Sequence, residues 1–202
     1  MAVAFQFEQA KAIAAIEVLV DGGIIDLTRG KIAKLLFFAD KRHLVQYGRP
    51  ITGDWYAALP HGPLPSNIGN MIEAFENQNL SMAGVANMHA LFCLDRIYQY
   101  PRLRKITSLP KATLKEELSD SDVEVLSECI QDLGHLSFSA LRAISHDQPA
   151  YKIAWEQKGI KNQEPMAFED FFEDDPDSLA GVKEEMIENC KMRQTFPEPV
   201  FD

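Results

Sequence analysis

The segment PHGPLPS, from Pro60 to Ser66, restricts the fold of this chain more than any other part of the sequence. It holds three prolines and one glycine within seven residues. Because proline lacks a backbone N–H, neither a regular helix nor a central strand can run through it. We expect a rigid, preformed loop here, followed by a helix from about Ser66 to Phe75. Rigid loops lose little entropy on binding, which favours a recognition surface. A turn that only redirects the chain fits the pattern equally well.

Helical periodicity dominates the rest of the chain. One helix is expected over about residues 5–20, and a second between the N-cap Thr28 and about Tyr47. The lysines of this second helix are expected on its wet face, and His43, on its apolar stripe, is expected to be a satisfied core residue. A capping box of Ser121 and Glu124 predicts another helix. Further helices are expected after Ser137, through Trp155 and, as an amphipathic segment, after Ser178.

Short strands are expected in two regions, where aromatic and β-branched residues cluster. These are residues 51–59, which contain a Gly-Asp turn signal, and residues 88–106, whose two strands we expect to pair with the earlier one. The predicted fold class is therefore α+β and mainly α, a helical domain with a small antiparallel β element of two to three short strands.

The net charge of −10 is concentrated near the C-terminus. Residues 161–202 hold 12 acidic and 4 basic side chains, whereas residues 1–160 hold 18 acidic and 16 basic ones. We therefore predict a domain over residues 1–160 and an acidic C-terminal extension over residues 161–202, with a short amphipathic helix as a possible element.

Several classes of protein are disfavoured by composition. No uncharged apolar run is long enough to span a membrane, and the N-terminal residues lack the basic start of a secretory signal. An acidic chain is a poor ligand for nucleic acid. The three cysteines are odd in number and far apart, which is typical of reduced thiols, so we expect a cytoplasmic protein. One basic stretch could be either a solvated face or a partner-docking surface: Arg96, Arg102, Arg104, Lys105, Lys111 and Lys115.

The histidines allow one functional hypothesis from residue chemistry alone, a metal-dependent hydrolase. Its ligands would be His43, His61, His146 and Asp147, which would have to converge within metal-binding distance. The separation of 103 residues between His43 and His146 is awkward for a helical phosphohydrolase. The chain lacks the GxGxxG, GxxxxGK[ST], HExxH and GxSxG motifs, so a binding protein is favoured, without cofactor or metal.

Two motifs carry a resemblance to a known family. The string KLLFFAD at Lys34–Asp40, continued by HL and by YGRPITGD up to Asp54, is similar to the opening of the Panacea domain. The segment ALPHGPLPS, ending at Ser66, is similar to the Gly-Pro-(Val/Leu) motif of the same family. LSDSD before a helix, and the Leu136-Ser137 and Ser145-His146 pairs, resemble its C-terminal half. The match covers about residues 8–157, and its family is the SocA-like antitoxins, which includes phage-associated proteins.

The resemblance implies an antitoxin, not an enzyme. Members bind and neutralise unrelated toxins encoded by adjacent genes, and one member acts instead as an adaptor that delivers its toxin to a AAA+ protease. The partner expected here is therefore a protein toxin, with a AAA+ protease as the alternative partner. The sequence departs from the family pattern at Ala150-Tyr151, where many members have tryptophan, and in the acidic extension.

Two surfaces are expected to bind the toxin. The first is the proline-rich segment and the aromatic residues before it. The second is the acidic run, which could enter a basic substrate cleft as a charge mimic with phenylalanine anchors, or could equally be a solvated tail. The residues assigned to these surfaces are Trp55, Tyr56, His61, Gly62, Pro63, Pro65, Ser66, Phe168, Glu169, Asp170, Phe171, Phe172, Glu173 and Asp174.

Overall fold

The computed structural model describes residues 3–95, 100–105, 115–157, 163–174 and 176–195. The α-helices in these ranges are α1 (Gln9–Asp21), α2 (Arg29–Tyr47), α3 (Ser66–Glu76), α4 (Val85–Leu91), α5 (Asp120–Leu133), α6 (Phe138–His146), α7 (Pro149–Gln157) and α8 (Pro176–Thr195). The strands are β1 (Tyr56–Leu59), β2 (Gly62–Pro65), β3 (Phe92–Asp95), β4 (Arg102–Lys105) and β5 (Glu164–Pro165). Short 3-10 helices cover Lys115–Glu117 and Phe168–Phe172. The α+β, mainly α fold class is confirmed.

Helix α2 is the central element of the fold, since it packs against five other helices and against β2. Its start and end are the predicted ones. The hydroxyl of Thr28 accepts a hydrogen bond from the backbone N–H of Lys31, and Gly48 ends the helix in the left-handed conformation, at φ 71°. The expected wet face is wrong, however. Lys31, Lys34 and Lys41 are all buried, because other elements cover α2 on almost every side.

The proline-rich segment forms an edge strand and not the expected loop. Strand β2 pairs antiparallel with β1, and β5 pairs with the other side of β1, in the order β2-β1-β5. An edge position suits prolines, since one side of the strand needs no backbone donors. The two-residue turn of this β1–β2 hairpin consists of Pro60 and His61. Helix α3 then begins at Ser66, as predicted.

Strands β3 and β4 form a separate two-stranded sheet, so the expected pairing with β1 is wrong. The backbone N–H of Leu103, on β4, donates to the carbonyl of Leu27. This contact holds the second sheet beside the start of α2. Helix α4, which leads directly into β3, was not expected from the sequence. The expected strand residues 97–99 lie outside the described ranges.

The capping box of α5 lies two residues before the predicted one. Ser119 is the N-cap, its hydroxyl accepts from the backbone N–H of Asp122, and the Asp122 carboxylate accepts from the N–H of Ser119. The periodicity of this helix predicts a buried stripe of Val123, Leu126, Ile130 and Leu133. In the structure, Val125, Leu126 and Cys129 are buried, whereas Val123 is exposed. Ser137 caps α6 as predicted.

The C-terminal residues pack against the rest of the chain. Phe171 and Phe172 are fully buried. The ring centroid of Phe171 lies 5.6 Å from that of Phe37 and 6.2 Å from that of Tyr56. Met186 of α8 is buried as well. Residues after position 160 therefore contribute directly to the hydrophobic core.

Candidate functional site

Asp40 fixes the backbone between α2 and β1. Its carboxylate accepts hydrogen bonds from the backbone N–H groups of Ile51 (2.9 Å) and Thr52 (3.0 Å), from the Thr52 hydroxyl (2.5 Å) and from the Tyr56 phenol (2.8 Å). Burial raises the pKa of Asp40 to about 6, although these hydrogen bonds act in the opposite direction. With all four donors satisfied inside the core, Asp40 is an organising residue of the fold.

Asp54 plays the same part for α3. It accepts from the backbone N–H groups of Asn67 (3.0 Å) and Ile68 (2.8 Å), two donors in the first turn of that helix. Burial raises the pKa of Asp54 as well, although the hydrogen bonds that its carboxylate accepts act to lower it. The carboxylate lies far in sequence from the helix that it caps, so no local pattern could reveal this role.

His43 is the satisfied core histidine that the sequence predicts. Its Nδ1 lies 2.8 Å from the carbonyl of Arg49, and its Nε2 lies 3.1 Å both from the Ser121 hydroxyl and from Asp122 Oδ1. Arg49 places Nη1 3.0 Å from the same carboxylate oxygen. Burial alone would raise the pKa of Asp122, but hydrogen bonds from His43 and Ser119 and the Arg49 charge hold it well below its usual range.

The residues proposed as metal ligands do not assemble. Within the described ranges, no group of three or more histidine, cysteine, aspartate or glutamate side chains is placed to hold a metal ion. His43 directs both ring nitrogens at protein partners, and Asp147 lies 3.2 Å from Lys152. The geometry therefore gives the hydrolase hypothesis no support.

Four basic side chains lie close together at the β1–β2 hairpin. They are Lys34, His61, Arg142 and His146, and we call this cluster the basic hairpin site. A Cβ atom on Gly62 would lie 2.7 Å from Ser145 Oγ, 3.0 Å from Lys34 Cε and 3.1 Å from His146 Cδ2. The glycine at φ 91° therefore lets these side chains close on the hairpin backbone.

Two of these basic groups have lowered pKa values. Burial, and then the Arg142 charge, lower the pKa of Lys34 to about 7. Burial also lowers the pKa of His146, followed by the charges of Arg142, Lys34 and His61, while Asp147 acts in the opposite direction. The Nε2 atom of His146 is buried without a hydrogen-bond partner in the described part of the chain. The sequence does not reveal that these basic groups converge, or that Lys34 is one of them, because they are brought together by tertiary packing.

The residues assigned to the first binding surface differ in exposure. Trp55 is 46% exposed and His61 is exposed, so both face solvent. Tyr56 is only 1% exposed and donates to Asp40. Gly62, Pro63 and Pro65 are buried in the hairpin, and Ser66 is half-buried. The side chains available to a partner here are therefore chiefly Trp55 and His61.

The acidic segment is only partly available. Phe168, Phe171 and Phe172 are buried, so an anchoring role would require this segment to leave the core. Glu173 and Asp174 are exposed but form ion pairs with Lys183 and Lys41 respectively.

The other two acids assigned to this surface, Glu169 and Asp170, are half-buried. Glu169 accepts a hydrogen bond from the backbone N–H of Val3 at 3.0 Å. Burial, and then Glu169 and Glu173, raise the pKa of Asp170.

The basic stretch after β3 is balanced where the structure describes it. Arg102 pairs with Asp26 (2.5 Å), and Arg104 pairs with Asp95 (2.9 Å). Lys115 pairs with Asp21 (2.5 Å). These pairs favour the solvated, charge-balancing face over a docking surface. Arg96 and Lys111 lie outside the described ranges, as does the side chain of Lys105.

Comparison with protein-family models gives the class of this protein. Residues 32–152, from α2 into α7, match the model described as antitoxin SocA-like, Panacea domain. The match spans more than half of the 202 residues, and the chain belongs to the SocA-like antitoxin family. Membership indicates a non-enzymatic role and implies a toxin as partner. No curated protein and no solved structure matches the chain.

Among the described residues, no helix combines the length and the apolar character needed to cross a bilayer.

Proposed function

We propose that this protein is an antitoxin that neutralises a cognate toxin, encoded by the adjacent gene, through direct protein–protein binding. The observation that carries the proposal is the match to the SocA-like antitoxin model across the centre of the fold. The partner surface that we assign is the β1–β2 hairpin with Trp55 beside it.

The construction of the hairpin supports this choice. Its backbone is held from three directions: Lys34 Nζ donates to the carbonyl of Pro63 (2.6 Å), Arg142 to that of Pro60 (3.1 Å), and the Tyr151 hydroxyl to that of Leu59 (2.9 Å). A surface fixed before binding loses little entropy in the complex. The exposed tryptophan beside it is of the residue type most enriched among energetically dominant interface positions.

A growth test in a heterologous bacterium examines this function. The neighbouring gene is induced alone and then together with this protein. Arrest alone, followed by rescue on co-expression, is the expected result. A toxic neighbour that this protein fails to rescue would contradict the proposal.

The binding surface is tested with one pair of variants. Trp55→Ala is expected to weaken rescue and to lower toxin affinity by about tenfold or more, because it removes a candidate anchor. Tyr100→Ala is the matched control, since Tyr100 is also an exposed aromatic residue but lies before β4. Equal affinity of both variants for the toxin would remove Trp55 from the interface.

The alternative is an adaptor that presents the toxin to a AAA+ protease. Direct neutralisation predicts that the purified pair is inert without protease and that rescue persists in a protease-deficient host. Rescue that disappears in that host would favour the adaptor.

The acidic side chains of the C-terminal segment form a second proposed contact, as a charge mimic. The double variant Glu173→Gln/Asp174→Asn is expected to weaken toxin binding and to flatten its salt dependence. Glu184→Gln/Glu185→Gln, on exposed positions of α8, is the control with the same change of charge. Unchanged binding by the first variant would leave this segment a structural one.

A further inference from the structure

The basic hairpin site has little counter-charge among the described residues, where only Asp147 opposes its positive charge, at His146. In the part of the chain that the structure describes, Lys34, His61, Arg142 and His146 form no ion pair with a carboxylate, and Asp147, the nearest acid in sequence, pairs with Lys152. Like charges that converge without a counter-ion repel one another, most strongly where burial excludes water. The arrangement is therefore incomplete in the free protein.

Some hydrogen-bond donors of the site also have no acceptor in the described structure. Lys34 is 3% exposed, and its ammonium group, which carries three N–H bonds, donates in the described structure only to the carbonyl of Pro63. The buried His146 Nε2 has no partner there, and it adds a donor to the site when this nitrogen carries the proton. Unsatisfied buried polar groups are costly, so the remaining N–H bonds of Lys34 favour a ligand that accepts hydrogen bonds. His61 is exposed and Arg142 is half-buried, so the site reaches solvent on the side of these two residues.

The basic side chains of the site favour an anionic ligand. Burial and neighbouring positive charges lower the pKa values of Lys34 and His146, so an anion that approaches them also relieves their mutual repulsion. In a protein partner, the anionic side chains are the carboxylates of aspartate and glutamate. A carboxylate also has two oxygens, which can accept from Lys34 and Arg142 together.

We propose that the basic hairpin site binds one carboxylate, supplied by an aspartate or glutamate side chain of the bound toxin. This inference rests on the proposed function, since it places the acidic residue of the toxin at the hairpin. The acidic segment of this chain is a poor source, because Glu173 and Asp174 already pair with Lys183 and Lys41. On binding, the carboxylate would supply Lys34 with a charged acceptor in addition to the carbonyl of Pro63.

The first experiment needs no toxin. Acetate, phosphate and chloride are titrated into the free protein at constant ionic strength, while the imidazole resonances of His61 and His146 are followed by NMR. Acetate is expected to give a saturable shift with a millimolar dissociation constant, and phosphate to bind no tighter. The shift should disappear in Lys34→Met and Arg142→Gln. It should persist in Arg29→Gln, whose arginine lies on the same helix as Lys34 and pairs with Glu73.

Each outcome decides the inference. No acetate-dependent shift in the folded wild type would overturn it, as would equal shifts in wild type and Arg142→Gln. Tighter binding of phosphate would overturn the carboxylate assignment. Because Lys34→Met could disturb packing, Arg142→Gln, at a half-buried position, provides the second test. Failure of the toxin to bind wild-type protein would contradict the proposed function but leave this titration intact.

The second experiment uses the purified toxin. Arg142→Gln is expected to weaken the complex by about tenfold or more, since a charge-assisted hydrogen bond is lost, and Arg29→Gln to leave it unchanged. A double-mutant cycle against each exposed acid of the toxin should then give one residue coupled to Arg142. Full affinity of Arg142→Gln, with wild-type binding intact, would overturn the inference while the antitoxin function stands.

Discussion

Lys34 links the stability of this protein to pH because its ammonium group is buried without a carboxylate among the described residues. Its pKa falls from 10.5 to about 7 in the folded state, first through burial. Between these values the unfolded chain binds the extra proton, so the contribution of Lys34 to the free energy of unfolding rises with pH. Below pH 7 the folded state bears the whole cost of the buried charge.

Lys34→Met is therefore expected to be more stable than wild type at pH 6, by on the order of 3 kcal/mol. This advantage should shrink as the pH rises from 7 to 10, because wild-type Lys34 then becomes neutral when folded. Urea unfolding of both proteins at pH 6, 7, 8, 9 and 10 measures the difference. A difference that stays constant across this series would contradict the lowered pKa.

Asp122 has the opposite dependence, since its pKa is held below the ordinary 3.8 in the folded state. Its stabilising contribution is complete above pH 3.8 and is lost as the pH falls through the lower folded pKa. Asp122→Asn is expected to cost roughly 3 kcal/mol at pH 7, where it leaves His43 and Arg49 without their carboxylate. The cost should diminish in unfolding experiments below pH 3.8. Asp120→Asn, at an exposed position of the same helix, should change stability only slightly at either pH.

The β1–β2 hairpin is the element on which the proposed surface depends. Substitutions at two glycines can distinguish the cost of backbone strain from the cost of side-chain clashes at this hairpin. Gly48 and Gly62 both have positive φ angles, but only at Gly62 would a Cβ atom meet other groups, Ser145 Oγ among them. Gly48→Ala is expected to cost about 1 kcal/mol from backbone strain alone. Gly62→Ala should cost roughly 2–3 kcal/mol and displace the basic hairpin site. Thermal unfolding measures both, and equal losses would show that the site tolerates displacement of its side chains.

The elements that could be predicted from the sequence are those with local signals. Thr28 and Gly48 bound α2, and Ser137 starts α6, because caps act within one helical turn. The burial of Lys34 and the pairing of β3 with β4 depend on distant segments, so no short window contains them. The candidate site shows the same division between local signals and contacts of distant segments. Trp55 and the proline-rich segment were assigned to a partner surface from the sequence, although that segment was expected as a loop and not as a strand. Arg142 enters the site through tertiary packing of α6 against β2.

At the scale of the whole molecule, the C-terminal residues determine how this protein can use its acidic residues 169–174. Strand β5 pairs with β1, the phenylalanines of the following 3-10 helix lie in the core, and α8 packs against α2. A segment that completes the core cannot also insert its phenylalanines into a partner without partial unfolding of the protein. For the proposed toxin complex, this favours contact through the exposed acids and the hairpin in one fixed arrangement.

Phe172→Ala tests this coupling between the C-terminal segment and the fold. Phe172 is fully buried, so its truncation is expected to cost about 3–5 kcal/mol of stability. Phe138→Ala, where the ring is already 39% exposed, should cost only about 1 kcal/mol. A chain ending at residue 160 should likewise lose cooperative unfolding, since the packing around Phe37 and Tyr56 opens. Chemical denaturation of the three proteins measures the effect. Wild-type stability in the shortened chain would instead establish residues 1–160 as an independent domain and free the acidic segment to act as a mimic.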